Sequence, residues 1–304
     1  MLSDQKILIT GPAGRIAFGL AQSLAADNEV WGIARFRTPG SREEVEALGV
    51  TTRVVDLGAE DLGDLPRDFT HLLHLAADFS DDDYDRALRV NAEGTGFLLD
   101  HCRSAKAALV MSTLTVYRPD PDPWHASRED DPLGDQKATH SAPYSVSKIA
   151  QEAVARYCAR AFDLPTVITR MGSAYGNRGG LPVMHLDDIA NGRPVQTRWD
   201  PIPYSPLHDD DIAAQVEPLL GAASVPATIV NWCGDEAVSV QEWSAYLGEL
   251  LGVEPVVEVT PVPCASVGSV GDPTKRASIT GPCAVHWRDG FRRMADHFYP
   301  EGVR

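Results

Sequence analysis

The sequence has few cysteines and no cysteine pair at a spacing typical of metal sites. Its five cysteines are an odd number, widely scattered over 304 residues, without a C-x-x-C motif. This pattern excludes a disulfide framework and a zinc site of ordinary spacing. We expect small buried side chains in a reducing compartment, at Cys102, Cys158, Cys233, Cys264 and Cys283.

Long apolar runs and an excess of positive charge are also absent. No apolar run approaches the roughly 18 residues of a membrane span, and the amino-terminal MLSDQK lacks the apolar core of a signal peptide. We therefore expect a cytoplasmic protein. The 27 Lys+Arg against 43 Asp+Glu give a formal charge of -16, which repels nucleic acid and anionic membrane surfaces. The expected partner is a small molecule.

Short apolar runs alternate with helical patterns through the first half of the chain, and no internal repeat is present. The runs KILIT, EVWGIA, TTRVV, HLLHLAA, AALVMS and TVITR read as strands, with helices predicted near 15–26, 83–103 and 144–162. This alternation is typical of βαβ units. It predicts an α/β fold with a Rossmann-type doubly wound parallel sheet, formed mainly by residues 1–170.

The second half, residues 171–304, is richer in Gly and Pro, as in YGNRGGLP and WDPIPYSP. We expect a smaller substrate-binding region here, with a segment near 227–232 returning to the main sheet. Residues 118–140 form an irregular insert in the first half. The pattern leaves open whether this insert is a lid over a site or solvated surface.

A glycine-rich turn follows the first predicted strand, in ILITGPAGRIA. Gly11 permits a tight turn, Gly14 permits close approach of a pyrophosphate to the helix amino terminus, and Ala17 permits close helix packing. Because the strand, turn and helix occur in this order, the motif predicts a dinucleotide site.

The end of the second strand indicates which dinucleotide is preferred. An NAD site offers a carboxylate to the adenosine ribose at this point, whereas an NADP site offers a cation for the extra phosphate. The sequence offers Arg35 and Arg37, with Ser41 nearby, and no acid. We therefore expect a preference for NADP(H), with NAD(H) as the alternative if both arginines are solvated surface residues.

Tyr144 and Lys148 in YSVSK have the i,i+4 spacing that places two side chains on one helix face. An ammonium beside a phenol stabilises the phenolate and lowers a pKa that is ordinarily about 10. A tyrosine in this position can exchange a proton with an alcohol or a carbonyl. The pair opens the helix that follows STLTVY, downstream of the dinucleotide motif.

At this point the sequence resembles the extended short-chain dehydrogenases/reductases, the NAD-dependent epimerase/dehydratase family. The resemblance runs nearly end to end. It is carried by TGPAGRIA, VVDL, HLAA, VNAEGT, STLTVY, YSVSK, RMGSAYG, LHDDDIA and NWCGDEAVSV, in that order.

The resemblance implies roles for individual residues. Thr113 would hydrogen-bond the reacting oxygen, Tyr144 would be the general acid/base, and Lys148 would hold the nicotinamide ribose and lower the tyrosine pKa. Asp56 and Leu57 would flank the adenine. The resemblance also implies cofactor contacts from Ala13, Arg15, Ile16, Leu75, Ala76, Ala77, Asn91 and Met171, and substrate contacts from Ser173, Trp199 and Tyr204.

Departures from the family pattern narrow the chemistry. Dehydratases carry an acidic pair immediately after the threonine, where this sequence has Leu114 and Thr115, so dehydration is not expected. Nucleotide-sugar enzymes place an Asn and an Arg where this chain has Ser173 and Tyr204, although Arg178, Arg193 or Arg198 could supply charge from elsewhere.

We therefore expect an NADP(H)-dependent oxidoreductase acting on a secondary alcohol or carbonyl. The alternatives are a nucleotide-sugar epimerase and, from another class, a non-catalytic NADP-sensing protein. We expect no metal, since the cluster His208 to Asp211 resembles a structural segment before a helix. The family resemblance also implies a homodimer formed through the helices near 83–103 and 144–162.

Overall fold

The computed structural model describes residues 2–59, 61–79, 82–136, 141–263 and 265–300. Cys264 and the end of the insert, residues 137–140, lie outside the described residues. The strands are β1 (Lys6–Thr10), β2 (Glu29–Ala34), β3 (Thr51–Val54), β4 (His71–His74), β5 (Ala107–Thr113), β6 (Ala126–Ser127), β7 (Thr166–Met171), β8 (Ser173–Gly176), β9 (Gly179–Gly180), β10 (Val195–Thr197), β11 (Pro203–Tyr204), β12 (Pro206–His208), β13 (Thr228–Trp232), β14 (Val238–Ser239), β15 (Val257–Val259) and β16 (Val270–Gly271).

The helices alternate with these strands in the first half of the chain and dominate its end. They are α1 (Arg15–Ala25), α2 (Ser41–Glu46), α3 (Tyr84–Leu88), α4 (Gly94–His101), α5 (Tyr144–Ala161), α6 (Leu181–Ala190), α7 (Asp209–Gly221), α8 (Val240–Leu251), α9 (Thr274–Thr280) and α10 (Trp287–Phe298).

The described chain forms a seven-stranded sheet in the order β13-β7-β5-β4-β1-β2-β3. All of its strand pairs are parallel. The order reverses direction between β1 and β4, which is where ligands bind in open α/β sheets. The predicted Rossmann-type fold is confirmed.

The sheet is buried on both faces because its side chains alternate between two cores. Ile7 and Ile9 of β1 pack with α1 and α7, whereas Leu8 packs on the opposite face with α4 and α5. A third core, around Trp243 and Phe291, joins α6, α8 and α10 in the second half of the chain. The sheet is thus enclosed between two cores, one on each face, and the third core belongs to the second half of the chain.

The helix predicted near 83–103 is interrupted in the structure. A π-helical segment, Arg89–Glu93, separates α3 from α4. Within it, the Asn91 side chain is buried, and the backbone carbonyl of Asn91 accepts a hydrogen bond from Thr95 Oγ1 at 2.6 Å. Single π turns occur frequently at functional sites. Here the turn buries the Asn91 side chain.

Candidate active site

The turn after β1 has the shape needed to receive a pyrophosphate. Gly11 has a φ of +65°, and a Cβ at this position would lie 3.3 Å from Ala76. Gly14 caps α1 without any side-chain hydrogen bond, and the first turn of the helix contains no acid. The backbone N–H groups of that turn are therefore free to bind an anion in the cleft, and they form the positive end of the helix dipole. The residues present fit a dinucleotide.

A buried histidine fixes the second wall of this turn. His74 at the end of β4 contacts Thr10 Oγ1 through Nδ1 at 2.9 Å and Thr95 Oγ1 through Nε2 at 2.7 Å. Thr10 Oγ1 in turn accepts from the backbone N–H groups of Leu75 and Ala76 at 3.0 and 2.9 Å. The chain after β4 is thereby held against the glycine turn.

We predict that His74 contributes to loss of stability in acid. Burial, followed by the charge of Lys148, lowers the pKa of His74 to about 3, whereas the unfolded chain takes up this proton near its ordinary value of about 6.5. The free energy of unfolding should therefore fall as the pH drops from about 6.5 towards 3, by up to roughly 1.4 kcal/mol per pH unit for this group.

In His74→Gln, the free energy of unfolding should fall less steeply as the pH drops, because unfolding then takes up as much as about one proton fewer. The measurement is urea unfolding at a series of pH values. Exposed His297 on α10 gives the matched control, His297→Gln, which should leave the slope as in the wild type. An unchanged slope in His74→Gln would contradict the prediction.

A cleft of about 670 Å³ runs along the carboxyl-terminal edge of the sheet. It is lined by most of the residues that the sequence predicts for the cofactor. These are Gly11, Ala13, Gly14, Arg15, Ile16, Arg35, Arg37, Asp56, Leu57, Leu75, Ala76 and Ala77. Tyr144 lines the same cleft. Their roles as cofactor ligands stay predictions, but their side chains and backbone are brought together.

Three residues predicted to bind the cofactor lie behind the cleft wall instead. Asn91 is buried and holds the following loop, because its Oδ1 accepts from the Asp78 N–H at 2.7 Å and its Nδ2 donates to Ser147 Oγ at 2.9 Å. Met171 is buried at the end of β7. Lys148 Nζ donates to the carbonyl of Met111 at 2.6 Å, and Met111 lines the cleft. Packing against the sheet draws all three inward.

The arginines at the end of β2 have carboxylate partners that the sequence did not reveal. Arg35 Nη1 lies 3.5 Å from Asp78 Oδ1, and Arg37 Nη2 lies 4.0 Å from Asp56 Oδ2. The end of β2 itself carries no acid, but the folded chain brings carboxylates from other segments close to both arginines. Asp56 and Glu44 both line the cleft, because α2 and the end of β3 bring them to it.

Two of the three predicted catalytic residues, Thr113 and Tyr144, come together where Tyr144 lines this cleft. The hydroxyl of Thr113, the last residue of β5, is near enough to the Tyr144 phenol to act on the pKa of that phenol. Thr113 Oγ1 also accepts from the Thr115 N–H at 3.2 Å. The two residues are close because β5 ends where α5 begins, at the carboxyl-terminal edge of the sheet. This pair can hold one oxygen atom between a hydroxyl and a phenol.

Burial, more than charge, controls the proton of Tyr144. Burial raises the pKa of Tyr144 to about 12, against the opposing effects of the Thr113 hydrogen bond and the Arg15 charge. The expectation of a lowered tyrosine pKa is therefore not met. The pKa of Lys148 is itself lowered to about 7 by burial, with the Glu152 charge opposing, so its ammonium is disfavoured. The phenol is set up as a proton donor at neutral pH.

Phe79 is a site residue that the sequence analysis missed. Its ring stacks on that of Tyr144, with centroids 4.6 Å apart and planes 24° apart. It is 53% exposed and lines the cleft. The sequence signal that could have indicated Phe79 is its position shortly after HLAA, because the chain lines the cleft directly after β4. Phe79 gives the end of the cleft beside Tyr144 an apolar face.

The position after Thr113 is apolar in structure as well as in sequence. Leu114 is buried in a small cluster with Tyr117 and Cys233. A cavity of only about 20 Å³ lies beyond it. This cavity is bounded by the insert and by the segment near β16, with Leu114, Arg118, Asp120, Asp122, Pro123, His125, Ser127, Gln136, Ser266, Gly268, Ser269 and Val270 as its lining.

The described part of the insert is tied to the body of the protein. Its strand β6 pairs with β16. The Asn231 side chain donates to the Ser127 carbonyl at 2.7 Å, and the Asn231 N–H donates to Glu129 Oε1 at 2.8 Å. The described part of the segment is thus anchored to the body of the protein, and its interpretation as a lid or binding loop, or as solvated surface, stays a prediction.

The residues predicted for the substrate are scattered in their present contacts. Ser173 begins β8 beside Pro206, and Tyr204 stacks on Trp243 with centroids 5.6 Å apart. Trp199 is exposed, and its carbonyl accepts from Thr197 Oγ1 at 2.6 Å. None of the three is among the residues that line the large cleft. Their assignment to a substrate stays a prediction.

The three arginines considered as alternative charge sources have different surroundings. Arg193 pairs at the surface with Asp188 at 2.9 Å and with Asp187, and Arg198 Nε donates to the Ser266 carbonyl at 2.5 Å. Arg178 lines the large cleft, on the cofactor side. The interpretation of Arg178 as a substrate-side cation is not supported by this position.

Within the described ranges, no cluster of three or more His, Cys, Asp or Glu side chains is arranged to hold a metal ion. Over those ranges, too, no helix combines the length and apolarity needed to cross a membrane.

Known proteins resemble this chain in sequence and in fold. The model of the NAD dependent epimerase/dehydratase family matches residues 7–191. The dTDP-glucose 4,6-dehydratase 1 of Escherichia coli (strain K12) is 28% identical over 202 residues, which are 56% of this chain and 55% of the relative. The match thus spans only about half the length of that curated relative.

Solved structures match over nearly the whole chain. The UDP-glucose 4-epimerase of Thermus thermophilus in complex with NAD is 25% identical, with a TM-score of 0.81 over 97% of this chain and 99% of the other. The Bacillus cereus UDP-glucuronic acid 4-epimerase with UDP-glucuronic acid and NAD is 23% identical, with a TM-score of 0.82 over the same shares. The second likeness concerns the fold alone.

The family match covers more than half of the chain, and it includes the glycine turn, Thr113, Tyr144 and Lys148. The cleft and the Thr113–Tyr144 pair lie where the fold binds its dinucleotide. The chain belongs to the NAD dependent epimerase/dehydratase family of extended short-chain dehydrogenases/reductases, and is an NAD(P)-dependent enzyme of that family.

Proposed function

We propose that the protein is an NADP(H)-dependent oxidoreductase that interconverts a secondary alcohol and a carbonyl compound. The observation that carries this proposal is the closeness of the Thr113 hydroxyl to the Tyr144 phenol, which lines the dinucleotide cleft. A hydroxyl and a protonated phenol together can bind and protonate a single oxygen atom.

In the proposed reaction, the dinucleotide and three side chains have separate roles. A bound nicotinamide dinucleotide supplies or accepts the hydride at C4 of its nicotinamide ring. Thr113 holds the substrate oxygen, and Tyr144 donates its phenolic proton to that oxygen when the carbonyl is reduced. In the reverse direction Tyr144 takes the proton from the alcohol. For Lys148 to hold the ribose next to the ring, its Nζ would have to leave the Met111 carbonyl, to which it donates in this structure.

The proposed preference for NADP(H) rests on the charge at the adenosine end of the cleft. Arg35, Arg37 and Ser41 all line this end. Asp78 lies within 3.5 Å of Arg35, and it also accepts from Arg86 Nε at 3.2 Å. Asp78 therefore does not depend on Arg35 for its charge compensation, which leaves Arg35 available to a phosphate. Guanidinium groups suit phosphate oxygens well.

The substrate side supports a small carbonyl compound more than a nucleotide sugar. Arg193 and Arg198 are held by other partners, away from the large cleft. Phe79 offers an exposed apolar face beside Tyr144 in that cleft.

A nucleotide-sugar epimerase is the second candidate. It is favoured by the 97% coverage and TM-score of 0.81 with the NAD complex of a UDP-glucose 4-epimerase. An epimerase would use the same Thr113, Tyr144 and Lys148, but it would oxidise and re-reduce one carbon without net consumption of the cofactor. Dehydration is not proposed, because Leu114 and Thr115 provide no acid.

The absorbance of reduced nicotinamide separates these candidates. Purified protein is incubated with NADPH or NADH and a panel of ketones and aldehydes, and separately with UDP-sugars. Net oxidation of NADPH by a carbonyl compound, faster than that of NADH, supports the proposal. Interconversion of UDP-sugars with no net change in absorbance would replace it with the epimerase.

We also propose a homodimer formed through α4 and α5. The support is an exposed aromatic side chain on each helix, since Phe97 is 41% exposed and Tyr157 is 68% exposed. Light scattering should give twice the chain mass of 32.9 kDa, and Tyr157→Glu should lower that value. A wild-type mass of one chain would overturn the proposal.

A further inference from the structure

An ion pair spans the large cleft between the two halves of the chain. Arg178 Nη1 and Nη2 lie 3.1 and 3.2 Å from Glu44 Oε1 and Oε2, a bidentate arrangement. Both residues line the cleft. The Arg178 guanidinium also lies 3.6 Å from the ring centroid of Phe18 on α1. Two separate contacts therefore hold Arg178 at the cofactor side.

The local fold explains why Arg178 reaches this position. It stands in the two-residue loop of a hairpin, since Gly176 pairs with Gly179 in β8 and β9. Gly179 has a φ of +112°, which favours glycine, and a Cβ there would lie 3.5 Å from Cδ of Arg15. The hairpin tip thus rests on the glycine turn that follows β1.

Glu44 places a carboxylate towards the adenosine end of the cleft. It follows Ser41 by three residues on α2, so both side chains share one face of the helix. Both line the cleft together with Arg37. A carboxylate in this region suits ribose hydroxyls but repels a 2′-phosphate. The guanidinium of Arg178 cancels that charge.

We propose that the Glu44–Arg178 pair is a specificity-determining pair that sets the choice between NADP and NAD. Arg178 neutralises Glu44 and so admits the 2′-phosphate, although it belongs to the half of the chain assigned to the substrate. The inference rests on the proposed function, in that a nicotinamide dinucleotide occupies this cleft. It adds two residues that neither the sequence pattern nor the glycine motif assigns to the cofactor.

Direct binding of NADP+ and NAD+ tests the pair, by titration calorimetry on the full chain. Arg178→Gln leaves the Glu44 carboxylate uncompensated, so the affinity ratio of NADP+ to NAD+ should fall about tenfold. Glu44→Gln releases the cation, so the ratio should rise by about threefold or more. The double variant should return to within about twofold of the wild type.

Matched controls change the same charges away from the cleft. Glu43→Gln removes a neighbouring acid on α2, and Arg193→Gln removes the surface arginine paired with Asp187 and Asp188. Neither should move the ratio by more than about twofold. Thermal unfolding verifies that each variant is folded. A variant that does not fold is replaced by Arg178→Met or Glu44→Ala, which remove the same charge and should shift the ratio in the same directions.

The outcomes separate this inference from the proposed function. A ratio that stays constant in both single variants overturns the inference, even if the wild type prefers NADP+. A wild type that prefers NAD+, with the ratio still moving in opposite directions in the two variants, supports the inference and overturns only the NADP preference. Binding of neither dinucleotide would overturn both.

Discussion

Replacement of Tyr144 by Phe is expected to lower turnover by about 10²- to 10⁴-fold, the usual contribution of a positioned general acid. The change removes a single oxygen, so the ring can keep its stack against Phe79. Since the lost group acts on the reacting oxygen, the affinity for the dinucleotide should change by less than about twofold. Steady-state assays and cofactor titrations on the same preparation measure the two effects separately.

A tyrosine on the same helix provides the control. Tyr157 of α5 is exposed and lies outside the residues that line the cleft, so Tyr157→Phe should retain wild-type turnover. If Tyr144→Phe kept more than a tenth of the wild-type rate, the phenol would not be the proton donor. The same result would leave Thr113 as the remaining group on the reacting oxygen.

The pH profile adds an independent check on Tyr144. Burial raises its pKa to about 12, so the phenol stays protonated at every pH at which the protein is ordinarily assayed. Carbonyl reduction should therefore show no loss of rate from tyrosine ionisation between neutral pH and about pH 10. A rate that falls between about pH 9 and pH 10 while the protein stays folded, well above the pKa of about 7 of Lys148, would contradict a protonated donor.

Local patterns in the sequence were enough to predict the sheet and the glycine turn. Ile7, Leu8 and Ile9 form a continuous apolar run, as expected for a strand buried on both faces by helices. These two inferences need only the order of the elements. The meeting of Thr113 with Tyr144 was expected from the family resemblance, which assigns both residues to one reacting oxygen.

Contacts between distant segments could not be predicted in the same way. Glu44 and Arg178 are separated by 134 positions, and nothing local to either residue indicates the other. Asn91 resembled a cofactor ligand, but its side-chain amide donates hydrogen bonds to Ser147 Oγ and to the backbone carbonyl of Asp78. The direction of the Tyr144 pKa depends on burial, which is a property of the whole packing arrangement.

A buried ion pair beneath the site is expected to dominate the stability of this region. Arg170 at the end of β7 donates through Nε and Nη2 to Glu152 of α5 at 2.9 and 2.8 Å, and each side chain is 2% exposed. Ser112, next to Thr113, donates to the same carboxylate at 2.6 Å. Arg170 also reaches the insert, through the Glu129 carbonyl at 3.2 Å.

Arg170→Met should therefore lower the free energy of unfolding by about 3–5 kcal/mol, because it leaves the Glu152 carboxylate buried without its cation. Combining it with Glu152→Leu should recover most of that loss, since the uncompensated charge is then gone. Denaturant unfolding measures both variants.

The exposed Asp100–Arg103 pair, 3.5 Å apart, gives the control, and Arg103→Met should cost no more than about 1 kcal/mol. Equal losses for Arg170→Met and Arg103→Met would mean that burial adds nothing to the cost of breaking the pair. A double variant less stable than Arg170→Met would mean that Glu152 is needed for its bond to Ser112 rather than for its charge.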